Sequence, residues 1–142
     1  MARRGTDLIE RVALPEPLQG VFFDFLWDTQ KVWLLPTESA ITAFDQLAWL
    51  LKLPVWTTAP GEARFDLAPL TVLEQPECFP VRWRRITSVD LMYPLELFRN
   101  DQGRWVILDG YHRLARHQVE GSRDIPVRLH PDHYKSRILR GG

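Results

Sequence analysis

The residues best suited to chemistry lie together in Leu108-Asp109-Gly110-Tyr111-His112-Arg113-Leu114-Ala115-Arg116. Leu114, Ala115 and Val119 mark one face of a helix, and Gly121 is placed to end it. Asp109 is suited to cap that helix. Gly110 lets the chain turn sharply and lets a ligand approach the backbone. His112, Arg113 and Arg116 then fall in the first two turns. A helix N-terminus already carries partial positive charge, so cations there are unfavourable unless something compensates. Asp109 compensates in part. A bound anion does so more fully, using free backbone N–H groups as well as side chains. In this reading Arg113 gives phosphate a planar, bidentate contact, while His112 orients phosphate or transfers a proton. The competing reading is a surface helix with solvated arginines, in which Asp109-Gly110 is only a turn.

Other groups carry less. Arg82, Arg84 and Arg85 flank Trp83 and could contact phosphate or nucleic acid, but a solvated strand face accounts for them more simply. Asp90 and Glu96 are carboxylates near the motif. Asp90 could help hold Mg²⁺ beside a nucleotide, although such groups more often sit in turns or on exposed strand faces. His112 and His117 are five positions apart and point in different directions on a helix, so they are not a metal pair. His130-Pro131-Asp132-His133 reads as a solvent-exposed loop rather than a metal site, and no metal centre is expected. Cys78, the only cysteine, reads as a small, partly buried hydrophobe. There is no Walker P-loop, no G-x-G-x-x-G, no H-E-x-x-H and no G-x-S-x-G.

Several elements must position these residues. Leu95–Phe98 and Trp105–Leu108 are short apolar runs joined by Asn100-Asp101-Gln102-Gly103, a hairpin with turn chemistry in place. The helix follows, and Ile125–Leu129 is a further strand with Pro126 near its start or on an edge. The mixture points to an α+β domain. Upstream, the spacing predicts a helix over 42–52, with Thr42 as N-cap and Phe44, Leu47, Ala48 and Leu51 on one face. Residues 54–80 contain five prolines among scattered apolar residues and read as an irregular, wrapping segment. Residues 21–35 do not separate helix from strand. Residues 1–20 read as an extended arm.

The bulk numbers set bounds. A chain of 142 residues with 45% hydrophobic content fits one domain with a real core. The 18 Lys and Arg balance the 18 Asp and Glu, which argues against a general nucleic-acid binder. The balance is uneven: residues 1–80 hold 6 basic and 11 acidic side chains, residues 81–142 hold 12 and 7. The six tryptophans are read as packing residues. No run approaches the roughly 18 apolar residues that span a bilayer, and no signal peptide is evident, so a cytoplasmic protein without membrane attachment is expected.

Residues 85–129 resemble the core of the ParB/sulfiredoxin superfamily. The resemblance rests on Ile86, Asp90-Leu91, Tyr93-Pro94-Leu95-Glu96-Leu97, Val106 to Ala115, Gly121 and Ile125-Pro126-Val127-Arg128. It implies a ParB/sulfiredoxin-like α+β fold with a small mixed sheet. It also implies a nucleotide or phosphorylated small molecule held at the helix start, with ATP, ADP or CTP and Mg²⁺ as the ligands. Gly110, Tyr111, Arg113 and Arg116 would then bind it, and Asp109 and His112 would be catalytic. The implied activity is that of a small-molecule phosphotransferase or nucleotide hydrolase. The alternative is a nucleotide-sensing or protein-interaction module without turnover. Two features of the superfamily are missing. Tyr111 stands where sulfiredoxins carry their cysteine, so sulfinic-acid reduction is not expected. Neither a Glu-Asn-x-x-Arg motif nor a helix-turn-helix domain follows Leu129, so a complete partition protein and sequence-specific DNA binding are not expected.

Overall fold

The computed structural model describes Leu18 and residues 20–23, 27–58 and 65–140. Strands β1 (Ala40–Ala43), β2 (Leu95–Arg99), β3 (Trp105–Asp109) and β4 (Asp124–Leu129) build one sheet in the order β1-β4-β2-β3. It is mixed: β2 is antiparallel to β3 and parallel to β4, while β1 is antiparallel to β4. Helices α1 (Thr29–Trp33), α2 (Pro69–Glu74), α3 (Pro80–Ser88) and α4 (Tyr111–Glu120) complete a small single α+β domain.

The C-terminal elements follow their local chemistry. Asn100 organises the β2–β3 turn, its Oδ1 accepting from Gln102 N at 3.0 Å and Arg104 N at 2.9 Å. Gly103 supplies the positive φ of 79° that the turn requires. At the other end of α4, Gly121 adopts the left-handed conformation and its N–H caps Gln118 O and His117 O. Pro126 sits near the start of β4, but β4 is an interior strand rather than an edge. Pairing with β2 begins only at Val127, so Pro126 precedes that ladder.

Upstream the expectations need correction. Thr42 caps no helix; it lies in β1, opposite Ile125. Short 3₁₀ turns follow at Phe44–Gln46 and Ala48–Lys52. Leu47 N bonds Phe44 O, Leu50 N bonds Leu47 O and Leu53 N bonds Leu50 O, a succession of three-residue steps. The apolar residues are buried as expected, but Leu50 joins Phe44, Leu47 and Leu51, and Ala48 is only half-buried. The proline-rich stretch is less irregular than expected. Pro69, Pro76 and Pro80 each start a helical element, where a missing N–H costs nothing. Arg82, Arg84 and Arg85 therefore stand on helix α3, not on a strand. Residues 21–35 include helix α1, which Asp28 caps through Gln30 N at 2.9 Å. Of the arm expected over 1–20, Leu18 is fully buried in the core, and residues 1–17 and 19 lie outside the described residues.

Apolar residues form two clusters. The larger joins Leu95, Leu97, Ile107, Ile125 and Val127 of the sheet to Leu114 and Ala115 of α4, Ile86 of α3 and Val72 of α2. The smaller sets Phe98 and Leu108 against Val32, Leu35 and Ile138. Leu95 and Leu97 thus serve one cluster and Phe98 the other, the alternation a strand imposes. Among the described residues, no helix is long and apolar enough to cross a membrane.

Candidate functional site

Strand β3 ends at Asp109, and α4 begins two residues later. The corner is made possible by Gly110 at φ 129°. A Cβ there would stand 2.9 Å from Leu95 Cγ and 3.3 Å from Leu95 Cα. Glycine is required both by the backbone angle and by the approach of β2. Pairing also shifts here, from Glu96 opposite Asp109 to Leu97 opposite Ile107, which leaves Leu108 as an extra residue.

Asp109 does not cap the helix. The N-cap is Gly110 and no side chain caps the first turn. The Asp109 carboxylate instead accepts from Arg113 Nη2 at 3.1 Å and Trp33 Nε1 at 2.9 Å. One turn of helix brings residue i+4 back over residue i, so the ion pair outcompetes the cap. Arg113 Nη2 also donates to Pro94 O at 3.3 Å. The Arg113 side chain is 16% exposed, and its Nε is buried without a hydrogen-bond partner.

Arg113 lines a cleft of about 680 Å³, together with Trp33, Tyr93, Pro94, Glu96 and Arg128. This volume lies within the range of small-molecule sites. Trp33 and Tyr93 are 56% and 63% exposed, so two aromatic rings stand open at the cleft. The other wall is charged and hydrogen-bonded throughout. Glu96 lies opposite Arg128 across β2 and β4, and Oε1 accepts from Arg128 Nε at 2.9 Å. Arg128 spends its other donors on carbonyls, Nη1 on Leu35 and Thr37 and Nη2 on Val32 and Trp33. His130 Nε2 meets Glu96 Oε1 at 2.7 Å, and its Nδ1 meets Thr37 Oγ1 at 2.7 Å. Every one of these polar groups is buried or half-buried and partnered, as a low-dielectric site demands. The network ties α1 and the chain after it to the sheet, and so positions Trp33.

The other motif residues go elsewhere. His112 is absent from the cleft lining. Its ring stacks on Trp56 with centroids 4.5 Å apart, and Arg82 Nη1 donates to its Nε2 at 3.3 Å. Burial, then the charges of Arg85, Arg82 and Arg113, push the imidazole down to about 4 against the weaker pull of Asp109. It is neutral at pH 7, with its proton on Nδ1, since Arg82 can only donate. Tyr111 packs against the main core. Its hydroxyl is buried and unpartnered, and burial raises the phenol well above its ordinary range. Arg116 binds Glu120 at 2.7 Å and the Thr87 carbonyl at the end of α3, which fastens α4 to α3. The six motif residues therefore split: Arg113 lines the cleft with Asp109 paired to it, Gly110 makes the corner, and Tyr111, His112 and Arg116 serve packing on other sides of the helix.

Three expectations change. His130 is not in an exposed loop; it is fully buried and hydrogen-bonded at both nitrogens. Glu96 is not on an exposed strand face but is the buried centre of a network. Cys78 is exposed. The sequence carries a signal for Glu96 and Arg128, each a lone charged residue between apolar neighbours along a strand, whereas His130 follows the end of β4 and carries none. Trp33 carries none either, since 76 positions separate it from Asp109. Comparison with protein-family models, with curated proteins and with solved structures finds no match for this chain.

Proposed function

We propose that this chain is a ParB/sulfiredoxin-like domain that binds a nucleotide or phosphorylated small molecule in the Trp33–Tyr93–Arg113 cleft, as a sensing or interaction module. The observation that carries it is Arg113, a cation oriented by Asp109 and Pro94 O within a cleft flanked by two exposed aromatic rings. A guanidinium is suited to phosphate, and Trp and Tyr faces are suited to a planar base or apolar moiety. The mixed four-stranded sheet, with a glycine corner leading into the helix, supports the superfamily reading. A cytoplasmic setting belongs to the same proposal.

Binding without turnover is favoured by where the two expected catalytic groups lie. The Asp109 carboxylate is engaged by Arg113 and Trp33, and His112 Nε2 is engaged by Arg82 outside the cleft. Among the described residues no group of three or more His, Cys, Asp or Glu converges. Any Mg²⁺ in this reading is carried by the phosphates of the nucleotide.

Isothermal titration with ATP, ADP and CTP in the presence of Mg²⁺, run beside a phosphate-release assay, tests the reading. The expected result is binding that disappears in Arg113→Ala, with no phosphate release. Release that vanishes in Asp109→Ala or His112→Ala assigns the phosphotransferase or hydrolase alternative. Failure of all three nucleotides to bind overturns the nucleotide reading.

A further inference from the structure

A second cleft, of about 410 Å³, shares no lining residue with the first. Arg82 and Arg85 line it together with Thr57, Thr58 and Cys78. One turn of α3 separates the two arginines, so their charges stand on the same side of the helix. Among the described residues neither pairs with a carboxylate. Burial, and then the charge of Arg85, lower the proton affinity of Arg82. Two unneutralised cations in a concave, partly buried setting favour an anion between them.

The guanidinium of Arg82 is already oriented. It lies over the Trp56 ring at 4.7 Å, and its Nη1 is directed to His112 Nε2. The neutral His112 accepts that bond and is itself held by stacking on Trp56. Fixing one fork before the ligand arrives lowers the ordering cost of binding. Arg85 is exposed and free to close on the anion from the other side. Thr58 contributes little, because its N and Oγ1 are both bonded to Asp66 at 2.8 and 2.7 Å. The two arginines are therefore the anchors.

We propose that Arg82 and Arg85 form an anion site, separate from Arg113, that takes the phosphate of a small phosphate monoester. Its geometry owes nothing to the nucleotide reading of the first cleft, and either can fail alone.

The chain provides its own reporter. Cys78 is its only cysteine, is exposed and lines this cleft, so a dianion bound there covers the thiol and disfavours the reactive thiolate. The experiment follows alkylation of Cys78 by uncharged iodoacetamide, using intact mass, during titration with inorganic phosphate and O-phosphoserine. Isothermal titration is run in parallel. Both anions are expected to bind and to slow alkylation about threefold or more, relative to sodium chloride at matched ionic strength. Arg85→Gln is expected to weaken binding about tenfold, the loss of one charge-assisted contact. Arg85 is exposed, so this variant keeps the fold, which a melting curve verifies. Arg113→Gln is expected to leave the slowing of Cys78 alkylation by phosphate unchanged, because Cys78 lines only the second cleft. The proposal is overturned if neither anion binds, if chloride slows alkylation equally, or if Arg85→Gln binds like the parent chain. It is also overturned if Arg113→Gln abolishes the effect, which would assign a single site in the first cleft. A phosphoserine peptide that binds at least tenfold tighter than O-phosphoserine would replace the small-molecule ligand with a protein partner.

Discussion

The Trp33 indole N–H donates to the Asp109 carboxylate at 2.9 Å, joining the end of α1 to the end of β3 across 76 positions. Asp109 thereby holds two groups of the cleft at once, the exposed aromatic ring and the Arg113 guanidinium. The carboxylate acts as a hinge pin between the tryptophan-rich half of the chain and the basic half.

Removing the indole donor tests that joint. Trp33→Phe is expected to cost about 1 kcal/mol, the net worth of one hydrogen bond at a partly solvated site. Asp109→Asn is expected to cost more, about 1–2 kcal/mol, because Arg113 also loses its counter-charge. Urea denaturation of the two variants measures both. Equal stability of Trp33→Phe and the parent chain would show that the bond contributes nothing.

Gly110 is the residue on which the corner depends. Gly110→Ala places a Cβ against Leu95, at a φ that side chains rarely adopt, and Leu95 cannot retreat because it is fully buried in β2. The expected loss is about 2–3 kcal/mol, from backbone strain and overpacking together. A fall of less than about 0.5 kcal/mol in a denaturant titration would mean that the corner relaxes without cost.

What was legible in the sequence follows from which interactions are local. The hairpin, α4 and its glycine terminus are set by turn residues and short-range periodicity and form where expected, although Val119, expected on the apolar face of α4, is 49% exposed and Asp109 does not cap the helix. Thr42 joins β1 rather than capping a helix because capping chemistry and strand propensity compete at the same residues. A free edge of β4, more than 80 positions downstream, decides for the strand. The stretch holding Pro69, Pro76 and Pro80 looks irregular in sequence because a proline's place at the start of a helix is invisible until the helix is known. At the site, residue types pointed to Arg113 and Asp109. They did not show that His112 would turn toward Trp56, or that Glu96 and Arg128 would be neighbours. The second depends on parallel pairing of β2 with β4, which no local signal encodes, and the first on a contact between residues 56 positions apart.

The buried network beneath the cleft gives an ordered pair of outcomes. Glu96→Gln keeps the shape but leaves the Arg128 charge without its anion, an expected loss of about 3 kcal/mol. Arg128→Met is expected to cost more, since it also leaves the carbonyls of Val32, Trp33, Leu35 and Thr37 without their donor. Arg128→Lys is not expected to rescue, because a single ammonium cannot serve carbonyls on both sides of the fork. Hydrogen exchange should localise the damage to α1 and the residues after it, through Thr37. Uniform loss of protection across the chain would place the network's role elsewhere.

His112 makes stability depend on pH in a defined window. Its ordinary value of 6.5 is pushed down to about 4 in the folded chain, chiefly by burial and then by neighbouring arginines. Between those values the unfolded chain binds a proton that the folded chain refuses, so stability rises with pH there. The contribution is fully present above pH 6.5 and is lost as pH falls through about 4. The carboxylates confuse the lower part of that range, so pH 6.5 to 5 is the informative part. There the expected decline is about 1 kcal/mol, below the limit of about 1.4 kcal/mol per unit because solvent screens a side chain that is only partly buried. His112→Gln keeps an acceptor for Arg82 and removes the titration. Urea titrations between about pH 7.5 and about pH 5 should show a flatter profile for that variant. Identical slopes in the two proteins would mean that His112 takes up its proton in the folded state as readily as in the unfolded one, and that its stacking on Trp56 does not exclude charge.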